Sequence, residues 1–299
     1  MSSPRIAVLG SVNMDLVAYV GQVPGSGETV TGTDFRQVPG GKGANQAVAA
    51  ARAGARTTFL GAVGDDPFGE QLRQSLSGAG VDVRGLRTVP GVSGIAHIVV
   101  DGRGANSIIV VPGANGTVES ASEADAELIE GADALMLQLE LPMSAVVSAA
   151  RTGRALGVPV HLTPAPAREL PRELLENVDV LIPNEHEAAA LTGEVDPDKA
   201  LAALLEQVPE VLITLGSEGS LYGARGGDPV RVPARPVEAV DTTAAGDTCC
   251  GSFAVARAEG RTPEEAMRFA AAASALSVQR HGASSSMAGR DEVEAFLLG

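Results

Sequence analysis

The chain has 299 residues, 44% of them hydrophobic and 20% charged, enough for one large domain with an excursion or for two small ones. Its net charge of −15 disfavours nucleic acid, whose phosphates it would repel, and no apolar run reaches the length of a bilayer span. Two adjacent cysteines exclude a disulfide framework or a thiolate zinc site, and the scattered histidines His97, His161, His186 and His281 form no i, i+4 metal pair.

Along the chain, short apolar runs suited to buried strands fall at residues 5–10, 57–64, 133–140, 158–164, 178–184 and 210–216. Helical patterns alternate with them at 43–54, 68–80, 142–157, 184–193 and 198–207. That alternation predicts an α/β fold, a doubly wound, mostly parallel sheet flanked by helices on both faces, with ligands at the carboxyl ends of the strands. Residues 15–20 with 28–38, and 94–111 with a turn centred on Asp101 and Gly102, break the rhythm. They predict a small antiparallel β sheet, about 15–40 and 94–112, lying over the strand ends as a lid on a single domain of residues 1–299. A helix follows "DTTAAGDTCCG" (241–251), and another over 262–280 opens with a Thr cap, Pro and two glutamates. The N-terminus lacks the features of a signal peptide, so the cytoplasm is the expected location.

Two common nucleotide motifs are absent. After Gly10 the chain runs "SVNMD" rather than a dinucleotide-binding glycine fingerprint, and "GGKGAN" has Gly43 where a phosphate-binding loop needs Ser or Thr. Small residues leading into the 241–251 helix instead offer the amides of Ala244, Ala245 and Gly246 as an anion nest. Asp247, in the first turn, is either a base beside that nest or a simple helix-dipole partner. Asn13, Asp15, Lys42 and Asn45 near strand ends favour a polyol or sugar, which needs both donors and acceptors, although each also fits a turn, cap or solvated position. Asn184 and Glu187 read as a capping box or as groups orienting a hydrated Mg²⁺. The glycines of "TLGSEGS" (214–220) allow either a hairpin or the close approach of a nucleotide.

These motifs, with "GDDPFGE", "LQLELP", "TPAPARELP", "PNEHEAAALTG" and "LITLGSEG" in one order from about residue 5 to about residue 295, resemble the ribokinase-like (PfkB) carbohydrate kinase family. The resemblance implies an ATP-dependent sugar kinase with a β lid that serves as a homodimer interface, acting on a terminal hydroxyl such as O5 of D-ribose to give the 5-phosphate. A kinase of another sugar or of a nucleoside, or a non-catalytic sugar-binding protein on the same fold, are the alternatives. It further implies Asp247 as the base and Ala244, Ala245 and Gly246 as the anion hole. Sugar contacts would come from Asn13, Asp15, Gly41, Lys42, Asn45, Glu140 and Asp247, and nucleotide contacts from Asn184, Thr214, Gly216, Gly219 and Gly246. Mg²⁺ would be served by Glu187 with Asn184, and K⁺ by Asp241, Thr243, Ser277, Arg280, Gly282 and Ser286. The chain departs from the family pattern at Thr163, where Asn is usual, and at Ala271, where His or Asn often lies near the adenine. It also departs at Cys249 and Cys250, adjacent helix positions expected to pack against different neighbours as small hydrophobes rather than as a redox pair.

Overall fold

A computed structural model describes residues 3–298. The strands are β1 (Arg5–Leu9), β2 (Asn13–Val20), β3 (Gly32–Gly40), β4 (Arg56–Gly64), β5 (Asp82–Val89), β6 (Gly94–Val100), β7 (Asn106–Val111), β8 (Ala134–Leu137), β9 (Val160–Leu162), β10 (Val180–Leu181), β11 (Glu210–Thr214), β12 (Ser220–Ala224) and β13 (Val230–Val232). The helices are α1 (Lys42–Arg52), α2 (Pro67–Gly78), α3 (Glu123–Ile129), α4 (Met143–Ala155), α5 (Arg172–Leu175), α6 (Glu185–Thr192), α7 (Pro197–Leu205), α8 (Ala245–Ala258), α9 (Pro263–Ser277) and α10 (Arg290–Leu298).

Among the described residues a nine-stranded sheet runs β13-β12-β11-β10-β9-β8-β1-β4-β5. Its members from β11 to β5 pair in parallel, and β12 and β13 return antiparallel at one edge. The alternation of side chains along β1 explains the two-layer core: Ile6 and Val8 join the cluster under α1, α2, α8 and α9, while Ala7 and Leu9 join the one under α3, α4, α6 and α7. From β1 the chain builds outward to β4 and β5 on one side, and from β8 outward on the other. The crevice beyond the carboxyl ends of β1 and β8 is therefore the topological switch point, where open α/β sheets bind ligands.

The doubly wound sheet and a separate small sheet agree with the sequence expectation, with one correction in the small sheet. The second sheet, ordered β3-β2-β6-β7, is mixed rather than antiparallel, because β2 and β6 pair in parallel. These two strands are separated in the chain by β3, α1, β4, α2 and β5, so no hairpin constrains their direction. Strands β5, β12 and β13 and helices α3, α5 and α10 were not expected from the sequence.

Helices α1 and α8 touch closely because of Gly251. A Cβ there would fall 2.6 Å from Ala49 Cβ and 2.8 Å from the Gln46 carbonyl oxygen, so a larger residue forces the helices apart. Gly251→Ala is expected to cost about 1–3 kcal/mol through overpacking, read as a lower midpoint in thermal unfolding. It should also lower kcat, since the same helix pair presents Asn45 and Asp247 to each other.

Candidate active site

The site assembles where the loops after β1 and β8 meet the start of α1. Ser11 receives α1 directly: its carbonyl accepts the Ala44 N–H at 2.9 Å and its Oγ accepts the Gly43 N–H at 3.3 Å. Glycine is required at this contact. A Cβ on Gly43 would lie 2.6 Å from Gly10 Cα, and Gly41, at φ 92°, would place one 2.9 Å from the Asn13 nitrogen. The predicted glycine run is thus what lets the helix start beside the β1 loop.

Glu140, two residues beyond Gln138 at the β8 end, is held there. Its Oε2 accepts from the Ser11 hydroxyl at 2.6 Å and from the Lys42 N–H at 3.1 Å. Asn13 Oδ1 accepts from Asn115 Nδ2 at 2.8 Å, while Asn115 also exchanges hydrogen bonds with the Val12 main chain at 3.1 Å each way. Asn115 is therefore the buried residue that orients Asn13, and sequence reasoning missed it, because it sits in the short turn "GANGT" with no strand or helix period to mark it. Asp15, one residue pair along the same lid strand, makes no side-chain hydrogen bond among the described residues. Gly40 on the paired strand leaves it room, since a Cβ there would fall 2.7 Å from the Asp15 Cγ. Desolvation and then the charge of Glu140 push the Asp15 carboxyl up to about 7 against the opposing pull of Lys42.

Lys42 binds the acidic groups electrostatically. Burial works against its charge, but Asp247, Glu140 and Glu187 together raise its pKa above the ordinary lysine value. Asp247 lies in the first turn of α8, where its Oδ2 accepts from Asn45 Nδ2 at 3.0 Å and its Oδ1 from Gln46 Nε2 at 3.1 Å. Burial lifts its carboxyl to about 6, with Lys42 and the two amide donors opposing and Glu140 adding to the rise. Asn13, Asp15, Gly41, Lys42, Asn45, Glu140 and Asp247 are therefore drawn to one place.

The start of α8 has the shape of an anion nest, with one correction. Ala244 is the one non-glycine residue with positive φ among those described, at φ 58° and ψ 16°, and the next residues turn into the helix. The Ala245 N–H is not free for an anion, because it donates to the Thr242 carbonyl at 3.2 Å, closing the turn that sets the nest. The amides of Ala244 and Gly246 have no acceptor among the described residues.

On the next strands, Asn184 and Thr214 form an isolated parallel bridge at the ends of β10 and β11. The capping box is real: Asn184 Oδ1 accepts the Glu187 N–H at 2.8 Å, and Glu187 Oε2 accepts the Asn184 N–H at 2.9 Å. It leaves the second carboxylate oxygen of Glu187 without a hydrogen bond among the described residues, and burial raises this carboxyl above the usual range. Gly216 and Gly219, both at positive φ, turn the chain from β11 into β12, so the hairpin reading of this segment holds alongside any nucleotide contact.

Asp241 ties the turn before α8 to the segment after α9. Its Oδ1 accepts the Thr243 N–H at 2.9 Å and its Oδ2 the Gly282 N–H at 2.9 Å. Desolvation would raise it, but these amide donors and His281 outweigh that and hold the carboxyl below its ordinary value. Ser277 and Ser286 donate their hydroxyls to Ser274 and Ala283 carbonyls, and the Arg280 side chain pairs with Glu292. Among the described residues no cluster of three or more His, Cys, Asp or Glu is arranged to hold a metal ion.

The cysteines divide as expected. Cys250 accepts from the Thr163 hydroxyl at 3.4 Å in the core, while Cys249 is partly buried, near Ser274. Burial pushes the Cys249 thiol up to about 11 and raises the Cys250 thiol well above its ordinary value as well, so neither presents a reactive thiolate. Ala271 lies on α9, partly buried.

The chain as a whole is similar to known proteins. The family model of the pfkB family carbohydrate kinases matches residues 3–289. The chain is 45% identical to the ribokinase of Bacillus subtilis over 98% of this chain and 99% of that one, and 37% identical to the deoxyribokinase of Salmonella typhi over 98% of each. The structure of Arabidopsis thaliana ribokinase complexed with ribose and ATP superposes with a TM-score of 0.94 at 37% identity, covering 99% of both chains. The chain belongs to the pfkB family of carbohydrate kinases, and it is accordingly a phosphotransferase.

Proposed function

We propose that this kinase transfers the γ-phosphoryl group of ATP to O5 of D-ribose, giving D-ribose 5-phosphate and ADP. The observation that carries the reading is Asp247: a partly buried carboxylate, aimed by two amide donors and set in the first turn of a helix behind a strained nest residue. It takes the proton from O5 as the hydroxyl oxygen attacks, while the Ala244 and Gly246 amides face the charge gathering on the transferred group. Asn13, Asp15, Gly41, Lys42, Asn45 and Glu140 hold the remaining hydroxyls. Asn45 Oδ1 suits this role, being a buried acceptor without a partner. Asn184, Thr214, Gly216 and Gly219 line the nucleotide side.

Two cations fit the oxygen-rich donor sets. Glu187, whose second carboxylate oxygen is uncommitted, serves with Asn184 to orient hydrated Mg²⁺, which neutralises phosphate charge when bound. Asp241 ties the Thr243 and Gly282 amides together, and with Ser277 at the end of α9 and Arg280 and Ser286 beyond it would supply carboxylate, hydroxyl and carbonyl oxygens of the kind suited to K⁺. Ordering these groups fixes the turn into the nest. The cytoplasm, where ATP and K⁺ are abundant, is the location this chemistry suits.

The lid supports a homodimer reading. Phe35, Ile108, Ile109, Val110 and Val111 are exposed, and every residue of the edge strand β7 is exposed. If this surface is the interface, Ile109→Glu should shift the protein from dimer to monomer in sedimentation velocity and weaken sugar binding, with the fold intact by circular dichroism.

Substrate identity is tested by coupled ADP release over ribose, 2-deoxyribose, hexoses and nucleosides. Highest kcat/KM with ribose upholds the reading. A preference for 2-deoxyribose is the specific rival, motivated by the similarity to the Salmonella typhi deoxyribokinase, and would move the assignment there.

A further inference from the structure

Two glutamines beside the base touch neither sugar nor nucleotide in the contacts proposed above, and only one of them, Gln46, reaches Asp247. Gln46, on α1, has no exposed surface, and Gln138, just past β8, is 1% exposed. Gln138 Nε2 donates to Gln46 Oε1 at 2.7 Å. Gln46 Nε2 in turn donates to Asp247 Oδ1 at 3.1 Å and to Thr163 Oγ1 at 3.2 Å, and Thr163 passes its hydroxyl proton on toward Cys250 Sγ at 3.4 Å.

The chain has one direction. An amide has an acceptor end and a donor end, so once Gln138 occupies the Gln46 oxygen, both Gln46 protons must face Asp247 and Thr163. Thr163 can accept because its own proton is committed to Cys250. Turning the Gln46 amide over would place its oxygen against the Asp247 carboxylate and set two donors, its own NH₂ and that of Gln138, against each other. A buried polar network specifies geometry only when its members are oriented in this way.

We propose that Gln46, locked in one orientation by Gln138 and Thr163, is a positioning residue that aims the Asp247 carboxylate at the sugar hydroxyl and keeps it ionised at neutral pH. Gln46 is withdrawn from the site surface and cannot itself reach a sugar, unlike Asn45 and Lys42. The other groups facing Asp247 are Lys42 and Asn45 on α1, Glu140 beyond β8 and the Cys250 thiol on α8. Of the charged ones, Lys42 favours the carboxylate and Glu140 opposes it, so against burial the amide donors are needed as well.

The inference rests on Asp247 acting as the base, and its test separates the two claims. Gln46→Met keeps the length of the side chain and removes both donors. It should move the acid limb of the kcat/KM profile up by about one pH unit and lower kcat by roughly ten- to a hundredfold, with sugar KM changing little. Gln138→Met leaves the contact to Asp247 in place but unpins the amide, and should produce a smaller shift of the same sign. That second variant decides the matter if Gln46→Met is too unstable to purify. The carboxyl titration of Asp247, followed by ¹³C NMR of aspartate-labelled protein and assigned with Asp247→Asn, gives the same answer without turnover. An inactive wild type with a shifted titration in the variants would defeat the functional reading and leave the positioning role standing. Acid limb and titration both unmoved in folded variants would overturn the positioning role.

Discussion

Asp247→Asn is expected to lower kcat by about 10²- to 10⁴-fold, the usual contribution of a positioned general base, while sugar affinity stays within a few-fold of wild type. The variant keeps the shape of the side chain but has no basic oxygen. It also places an NH₂ where Asn45 or Gln46 now donates. Asn45 can answer that by turning its amide, because its Oδ1 is buried without a partner, so the fold should survive. Single-turnover phosphoryl transfer, with sugar binding by calorimetry, separates the two effects; near-normal transfer would remove Asp247 from the role. Stability carries a second signature with a defined sign. The folded carboxyl sits at about 6 against an ordinary 3.8, so its contribution to stability is fully present below about pH 4 and is lost as pH rises through about 6. The Tm difference, variant minus wild type, should therefore be more positive at pH 8 than at pH 5. This is the expected conflict between a buried functional carboxylate and the stability of the fold.

The parts of this molecule that the sequence makes legible are those whose local pattern and tertiary role agree. β1, β4 and β11 carry the apolar runs Ile6–Leu9, Phe59–Val63 and Val211–Ile213 because both faces of their sheet are covered, and α9 shows its Thr262–Glu265 capping box in the sequence itself. β5, "DVRGLRTV", is an edge strand with charged residues facing out, so it lacks that mark. The parallel pairing of β2 with β6 is a tertiary fact, invisible to any window shorter than the intervening chain. In the site, Asp247, Asn45 and Lys42 could be picked out because acids, amides and cations at helix starts are chemically conspicuous. Gln46 and Gln138 could not, since one glutamine in an alanine-rich helix and another at a strand end carry no period. Their meaning comes from the 2.7 Å bond that joins them across 92 residues. The Ala245 amide fails for a related reason: a helix start predicts free N–H groups, but the strained residue before it folds Thr242 back to take one of them.

Lys42→Met should do more damage to binding than to folding. Its ammonium lies within the field of Asp247, Glu140 and Glu187, and its charge opposes the rise of the Asp15 carboxyl. Removing the cation leaves these carboxylates to repel one another in a partly desolvated site, and they respond by taking up protons. Asp15, already at about 7, should then be largely protonated at neutral pH and become a hydroxyl donor in place of an acceptor. Asp247 should titrate higher as well, which moves the acid limb of kcat/KM upward. The expected result at pH 7 is a loss of kcat/KM of about 10²-fold or more, roughly 3 kcal/mol of transition-state stabilisation, with part of it recovered at pH 9. Lys42→Arg retains the charge but not the compact ammonium, and should keep the acid limb near its wild-type position while still impairing sugar binding. An unchanged acid limb in Lys42→Met would mean that the positive charge does not govern the carboxylates around it, and the electrostatic account of this site would have to be rebuilt around the amide donors alone.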